Sequence, residues 1–168
     1  NEAKKDLTIR RIMSMCLDIP DEAFQMYTLD GAWIKEANLH KRPVSYGITI
    51  NSSTTGASSN RHNPAFLLAE REATEDQGSV YAFNLIYSGN HYSMVEKSHR
   101  DHLRVCMGIN PHCFEWVLPP GKGFEAPEAV MTYSNKGFNG ASHHMHDFVN
   151  EHVVRGAWKK KERPVLLN

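Results

Sequence analysis

Neither an excess of one charge, nor a set of paired cysteines, nor an apolar run of bilayer length is found in this sequence. Lys plus Arg and Asp plus Glu both number 19, for a formal net charge of zero. Nucleic-acid binders neutralise phosphates with a basic excess or a basic stripe, so nothing here points to a nucleic-acid partner. The three cysteines, Cys16, Cys106 and Cys113, cannot close a disulfide framework, which favours a reducing, cytoplasmic setting. The longest apolar run, Ala65 to Ala69, is far shorter than the ~20 residues that span a bilayer. No stretch near Asn1 joins a basic head to an apolar run of signal-peptide type, and no membrane partner is expected.

What is present suits one domain with a true core. The chain has 168 residues, 40% hydrophobic and 23% charged, which excludes a disordered chain. Ten histidines would turn it cationic below about pH 6.5. It starts at Asn1 rather than Met and ends Pro164-Val165-Leu166-Leu167-Asn168, inside an apolar run, so it reads as a piece of a longer protein.

Short strands separated by turn signals dominate the first two-thirds and argue for a β-sandwich. Leu7 to Met15 reads as one extended segment with a bulge near Arg10-Arg11, punctuated by Asp18-Ile19-Pro20-Asp21. Phe24 to Tyr27 is next, closing at the Asp30-Gly31 turn. Val44 to Asn51 carries Val44, Tyr46, Ile48 and Ile50 on one face. Val80 to Tyr87, Leu103 to Ile109, Phe114 to Leu118 and Ala129 to Tyr133 complete the strands. After Gly140 the period changes. Met145, Phe148, Val149, His152 and Val153 recur at helical spacing, with Ser142 as N-cap and Gly156 as stop.

Between Asn51 and Pro64 lies a polar stretch without an apolar face, either a solvated loop or an ordered one that presents Asn60, Arg61, His62 and Asn63. His143, His144, His146, Asp147 and His152 form a histidine cluster, but no His-Glu-x-x-His motif exists, and no metal site is assigned. Cys106 and Cys113 match no short zinc knuckle and read as structural. Glu70, Glu72, Glu75 and Asp76 are the densest carboxylates, and a solvated acidic turn explains them better than a glycosidase pair, whose members usually face each other from separate elements. Trp33 and Trp116 have the right chemistry to stack on sugars, though Trp116 shares a face with Phe114 and Leu118 and is expected to pack in the core.

Several strings taken together carry a resemblance. They are Asp30-Gly31-Ala32-Trp33-Ile34-Lys35-Glu36, Gly56-Ala57-Ser58-Ser59-Asn60-Arg61-His62-Asn63-Pro64, and the run Thr74-Glu75-Asp76-Gln77-Gly78-Ser79 into Val80-Tyr81-Ala82-Phe83-Asn84-Leu85-Ile86-Tyr87-Ser88-Gly89-Asn90. Gly108-Ile109-Asn110-Pro111, Ala126-Pro127-Glu128-Ala129-Val130-Met131 and Arg163-Pro164-Val165-Leu166-Leu167-Asn168 follow in order. The chain thereby resembles the N-terminal domain of bacterial α-galactosidases of glycoside hydrolase family 36.

The resemblance implies a mainly β fold, a β-sandwich (a supersandwich of galactose-mutarotase type) with a C-terminal connecting α-helix. It implies a sandwich over residues 1–140 that is incomplete at its N-terminus, a helical connector over 141–162, and the start of an absent catalytic (β/α)₈ barrel over 163–168. The family hydrolyses terminal α-galactosyl groups of melibiose, raffinose and related oligosaccharides with retention, using barrel aspartates that have no counterpart here. No catalytic residue, metal or cofactor is therefore expected in this chain. The partners it implies are the chain's own barrel, an α-galactoside and further copies in a tetramer. Ser58, Ser59, Asn60, Arg61, His62 and Asn63 would form a loop near substrate or at a subunit interface, and Asn168 would stand at the barrel's threshold. A free-standing carbohydrate-binding sandwich is the alternative.

Overall fold

The computed structural model describes residues 1–162 and 164–165. Two antiparallel sheets make the sandwich. The larger has five strands in the order β11-β7-β6-β3-β4, namely Glu128–Ser134, Val80–Ile86, His62–Ala69, Gln25–Ala32 and Lys35–Pro43. The smaller has four, β2-β9-β8-β5, namely Met13–Pro20, His102–Ile109, His91–Lys97 and Gly47–Ser52. A two-stranded ribbon of β1 (Leu7–Ile9) and β10 (Trp116–Leu118) completes the set. The mainly β sandwich with a C-terminal helix is what the sequence led us to expect.

Side-chain alternation explains how the layers close. In β7, Tyr81, Phe83 and Leu85 face the smaller sheet; beside Phe66 and Leu68 of neighbouring β6 they meet Val95, Leu103, Val105 and Met107 of β8 and β9. Phe66 and Phe83 stack with centroids 4.8 Å apart. The opposite face of β7, Val80 and Ala82, lies with Tyr27, Ala69 and Ala141 in a second cluster that includes Phe138 and Met145. That cluster seats helix α1 (Gly137–Phe148) on the outside of the larger sheet, making a third layer.

The helix begins earlier than the Ser142 cap expected from sequence. Its first amides find acceptors in the 74–78 turn: Gly137 N donates to Gly78 O (3.0 Å), Phe138 N to Thr74 O (3.1 Å) and Asn139 N to Glu75 O (2.8 Å). Backbone carbonyls thus replace a side-chain cap, and Ser142 falls inside the helix. Gly137 holds φ +62°, and a Cβ there would stand 2.2 Å from Thr74 O. The helix ends in a π-helical turn, Val149–Val153, before Gly156 at φ +77°.

Other expectations need correction. Leu7 to Met15 is not one strand: β1 and β2 belong to different sheets and break at Arg10–Ile12. The bulge lies instead between Met13 and Met15, opposite Gly108, where a Cβ would meet Ile12 O at 2.4 Å. Asp18, Ile19 and Pro20 do not break the strand but form the end of β2. The chain runs through Asp30-Gly31 and turns at Trp33-Ile34. Tyr46, Ile48 and Ile50 share a face, but it is the outer one, and Val44 alone of that set is buried. Trp116 is half exposed, edge-on to Phe124 at 5.3 Å, not in the core.

Candidate functional site: the polar loop

The segment 53–61 is ordered by its own small polar residues and by three neighbouring strand ends. Ser53 Oγ donates to Ala57 O (2.6 Å), and Ser53 N donates to His91 O (3.0 Å). Asn90 Oδ1 accepts from Gly56 N (2.7 Å), and Ser88 O accepts from Ser58 N (2.8 Å). Ser59 Oγ accepts from Arg61 N (2.9 Å), an ST turn that sets up the entry into β6. Gly31 N then donates to Arg61 O at 3.0 Å, tying the loop to β3.

His62 and Asn63 leave the loop altogether and open β6. His62 Nδ1 lies 2.8 Å from Asp30 Oδ1, while Asp30 Oδ2 accepts from the buried Thr28 hydroxyl at 2.6 Å. The bonds from Thr28 and His62, against the cost of partial burial, hold the Asp30 carboxyl below its usual range. Asn63 Nδ2 donates to Leu29 O (3.3 Å), and Asn63 O accepts from the buried Asn51 amide (2.8 Å).

Beneath the loop sits a polar interior that the sequence did not single out: Asn51, Ser53, His91, Ser93 and Asn110, all buried. Asn110 Nδ2 donates to Ser53 O (2.9 Å), and His91 Nε2 donates to His62 O (2.9 Å). That bond fixes the proton of a neutral ring on Nε2, leaving His91 Nδ1 without a partner among the described residues. Burial pushes the His91 pKa down. Alternation in β8 was the available signal, because His91, Ser93 and Val95 share its inner face.

The structure therefore divides the six expected loop residues. Ser58, Ser59 and Asn63 are half-buried and do structural work, whereas Asn60, Arg61 and His62 face outward. Asn60 lies at Glu36 of the β3–β4 hairpin and helps depress its carboxyl, after the Glu36 and Ile34 amides. Trp33, 81% exposed, crowns that hairpin. Asn168, with Arg163, Leu166 and Leu167, lies outside the described residues.

The remaining clusters have local employment. Asp76 Oδ1 accepts from Asn139 Nδ2 (3.0 Å) at the helix N-terminus, and Ser79 holds the Glu70 carboxyl below its usual range. His144 Nδ1 meets Thr132 Oγ1 at 2.9 Å, while His152 is exposed on the π turn rather than packed in an apolar stripe. No three His, Cys, Asp or Glu side chains converge as a metal site among the described residues. Between α1 and the larger sheet runs a mainly apolar groove of about 450 Å³ lined by Tyr27, Leu39, Leu67, Phe138 and Met145. No described helix is long and apolar enough to cross a membrane.

Residues 1–119 match the model of the glycosyl hydrolase family 36 N-terminal domain, and residues 123–168 match the melibiase model. The chain belongs to glycosyl hydrolase family 36. It is 40% identical over all 168 residues to α-galactosidase AgaA of Geobacillus stearothermophilus and 39% identical to α-galactosidase C of Emericella nidulans. It spans 23% and 22% of those relatives' lengths, respectively. A crystal structure of a substituted AgaA in complex with raffinose superposes with a TM-score of 0.94 at 39% identity, over 98% of this family 36 chain and 23% of the other.

Proposed function

We propose that this family 36 chain works as the non-catalytic N-terminal domain of an α-galactosidase. The longer enzyme hydrolyses terminal α-galactosyl groups of oligosaccharides such as raffinose and melibiose. The observation that carries this reading is the likeness to AgaA over the whole chain, in sequence and in backbone.

The chemistry belongs to a barrel beyond this chain, by two-step displacement through a covalent galactosyl-enzyme. The sandwich of residues 1–140 covers that barrel, the segment 141–162 leads into it, and Asn168 stands at its threshold. The apolar groove and the exposed Ile48, Ile50 and Trp33 support a domain that packs against its barrel and against further copies in a tetramer. Asn60, Arg61 and His62 face a substrate or a neighbouring subunit, with donors that suit sugar hydroxyls. Its setting is cytoplasmic.

Anomer-resolved NMR of raffinose hydrolysis by the longer enzyme tests the reading. Release of α-galactose first is expected, and release of β-galactose first, or no release, would overturn it. A second reading, a free-standing sugar-binding module, is favoured by the exposure of Trp33 alone. Saturable raffinose binding by this chain in calorimetry would choose it.

A further inference from the structure

Cys16 of β2 and Cys106 of β9 are directly opposed, in a register that runs Met15↔Met107, Cys16↔Cys106, Leu17↔Val105. Directly opposed residues in antiparallel strands have Cα atoms ~4.5 or ~5.5 Å apart, and both spacings fall within the span of a disulfide. The sulfurs already stand 3.4 Å apart, with both thiols reduced. Closing to the ~2.05 Å of an S–S bond asks for little more than side-chain rotation. The backbones are held in place independently of the sulfurs. Two residues along on the same face, Arg104 clasps Asp18 through two hydrogen bonds of 2.9 Å each.

We propose that Cys16 and Cys106 form a redox modification site, a thiol pair that a hydroperoxide converts to a cross-strand disulfide. The exposed Cys16 sulfur attacks a peroxide oxygen, the O–O bond breaks, and Cys16 becomes a sulfenic acid with release of water or alcohol. The Cys106 sulfur then attacks the Cys16 sulfur and the S–O bond breaks. The departing hydroxide takes the Cys106 thiol proton and leaves as water. Two thiols lose two electrons in all, and one hydroperoxide gains them.

Burial assigns the order of events. Cys106 is 6% exposed, and burial together with its contact to Cys16 pushes its thiol up to about 11. It is a poor first nucleophile and is placed to resolve the sulfenic acid next to it. The new bond would join positions 90 apart in sequence and tie β2, an edge strand, to β9. A reducing compartment keeps the pair open, and peroxide closes it. Cys113, in the loop before β10, stands outside the pair and serves as an internal reference.

The test treats the native 168-residue chain with hydrogen peroxide, removes the excess with catalase, unfolds it and alkylates it. Intact mass should show labels falling from three to one, and dithiothreitol should restore all three. A non-reduced digest should join the peptides that carry Cys16 and Cys106, and the oxidised chain should melt at a higher temperature than the reduced one. In Cys113→Ser the labels should fall from two to none, with no disulfide between chains on a non-reducing gel. Retention of all labels, crosslinks between chains, or irreversible loss of thiol at Cys16 without an S–S bond would each overturn the proposal.

Discussion

Asp30 and His62, 32 positions apart in sequence, meet at 2.8 Å where β3 passes the start of β6. One oxygen of Asp30 meets the imidazole while the other satisfies the buried Thr28 hydroxyl, so a single carboxylate anchors the exit of the polar loop to the sandwich. Asp30→Ala leaves Thr28 Oγ1 buried without its acceptor. We expect a loss of about 1–3 kcal/mol in urea unfolding. Amide exchange should quicken around residues 58–63 ahead of the core strands.

His91 makes stability depend on pH in a defined direction. Above its ordinary pKa of 6.5 the ring is neutral in both states, and its contribution is fully present. As pH falls below that value the unfolded chain takes up a proton that the buried ring resists, so stability falls until the lowered folded pKa is passed. The urea midpoint of the native chain should drop between pH 7 and pH 5 more steeply than that of His91→Gln. Equal slopes would show that burial does not hold this ring neutral.

The helix junction rests on one glycine. Gly137→Ala places a Cβ against Thr74 O and Glu75 O in a backbone conformation that L side chains rarely adopt. The expected loss is at least ~1 kcal/mol, read as a lower melting temperature with weakened helical circular dichroism. An unchanged melting temperature would mean that the 74–78 turn does not seat the helix.

Arg61 separates stability from function. Its guanidinium is exposed, and its backbone carbonyl alone ties it to Gly31. Arg61→Ala should shift unfolding by no more than about 0.5 kcal/mol. In the longer enzyme proposed above, it should lower kcat/KM for raffinose or weaken the proposed tetramer. Unaltered kinetics and assembly would remove Arg61 from the loop's working face.

Strands β7 and β9 were legible because their apolar residues alternate without interruption, as Tyr81, Phe83 and Leu85 show. Strand β4 was not, since its residues 35–41 are all exposed and it is held at the sheet edge by backbone pairing to β3. Strand β8 was hidden for the opposite reason: its inward set begins with His91 and Ser93, polar groups that read as loop. The helix start was invisible locally because its partners, Thr74 O and Glu75 O, lie some sixty residues earlier. Of the expected polar stretch only 53–61 is loop: Asn51 and Ser52 end β5, and His62 to Pro64 open β6. Which of its side chains point outward depends on Ser88, Asn90 and Gly31, contacts that no local pattern encodes.

The most direct measurement is hydrolysis of an aryl α-galactoside by this 168-residue chain beside the longer protein proposed to carry the barrel. Steady release of the aryl alcohol is expected from the longer protein and none from the chain alone. Turnover by the chain, or an inert longer protein, would contradict it.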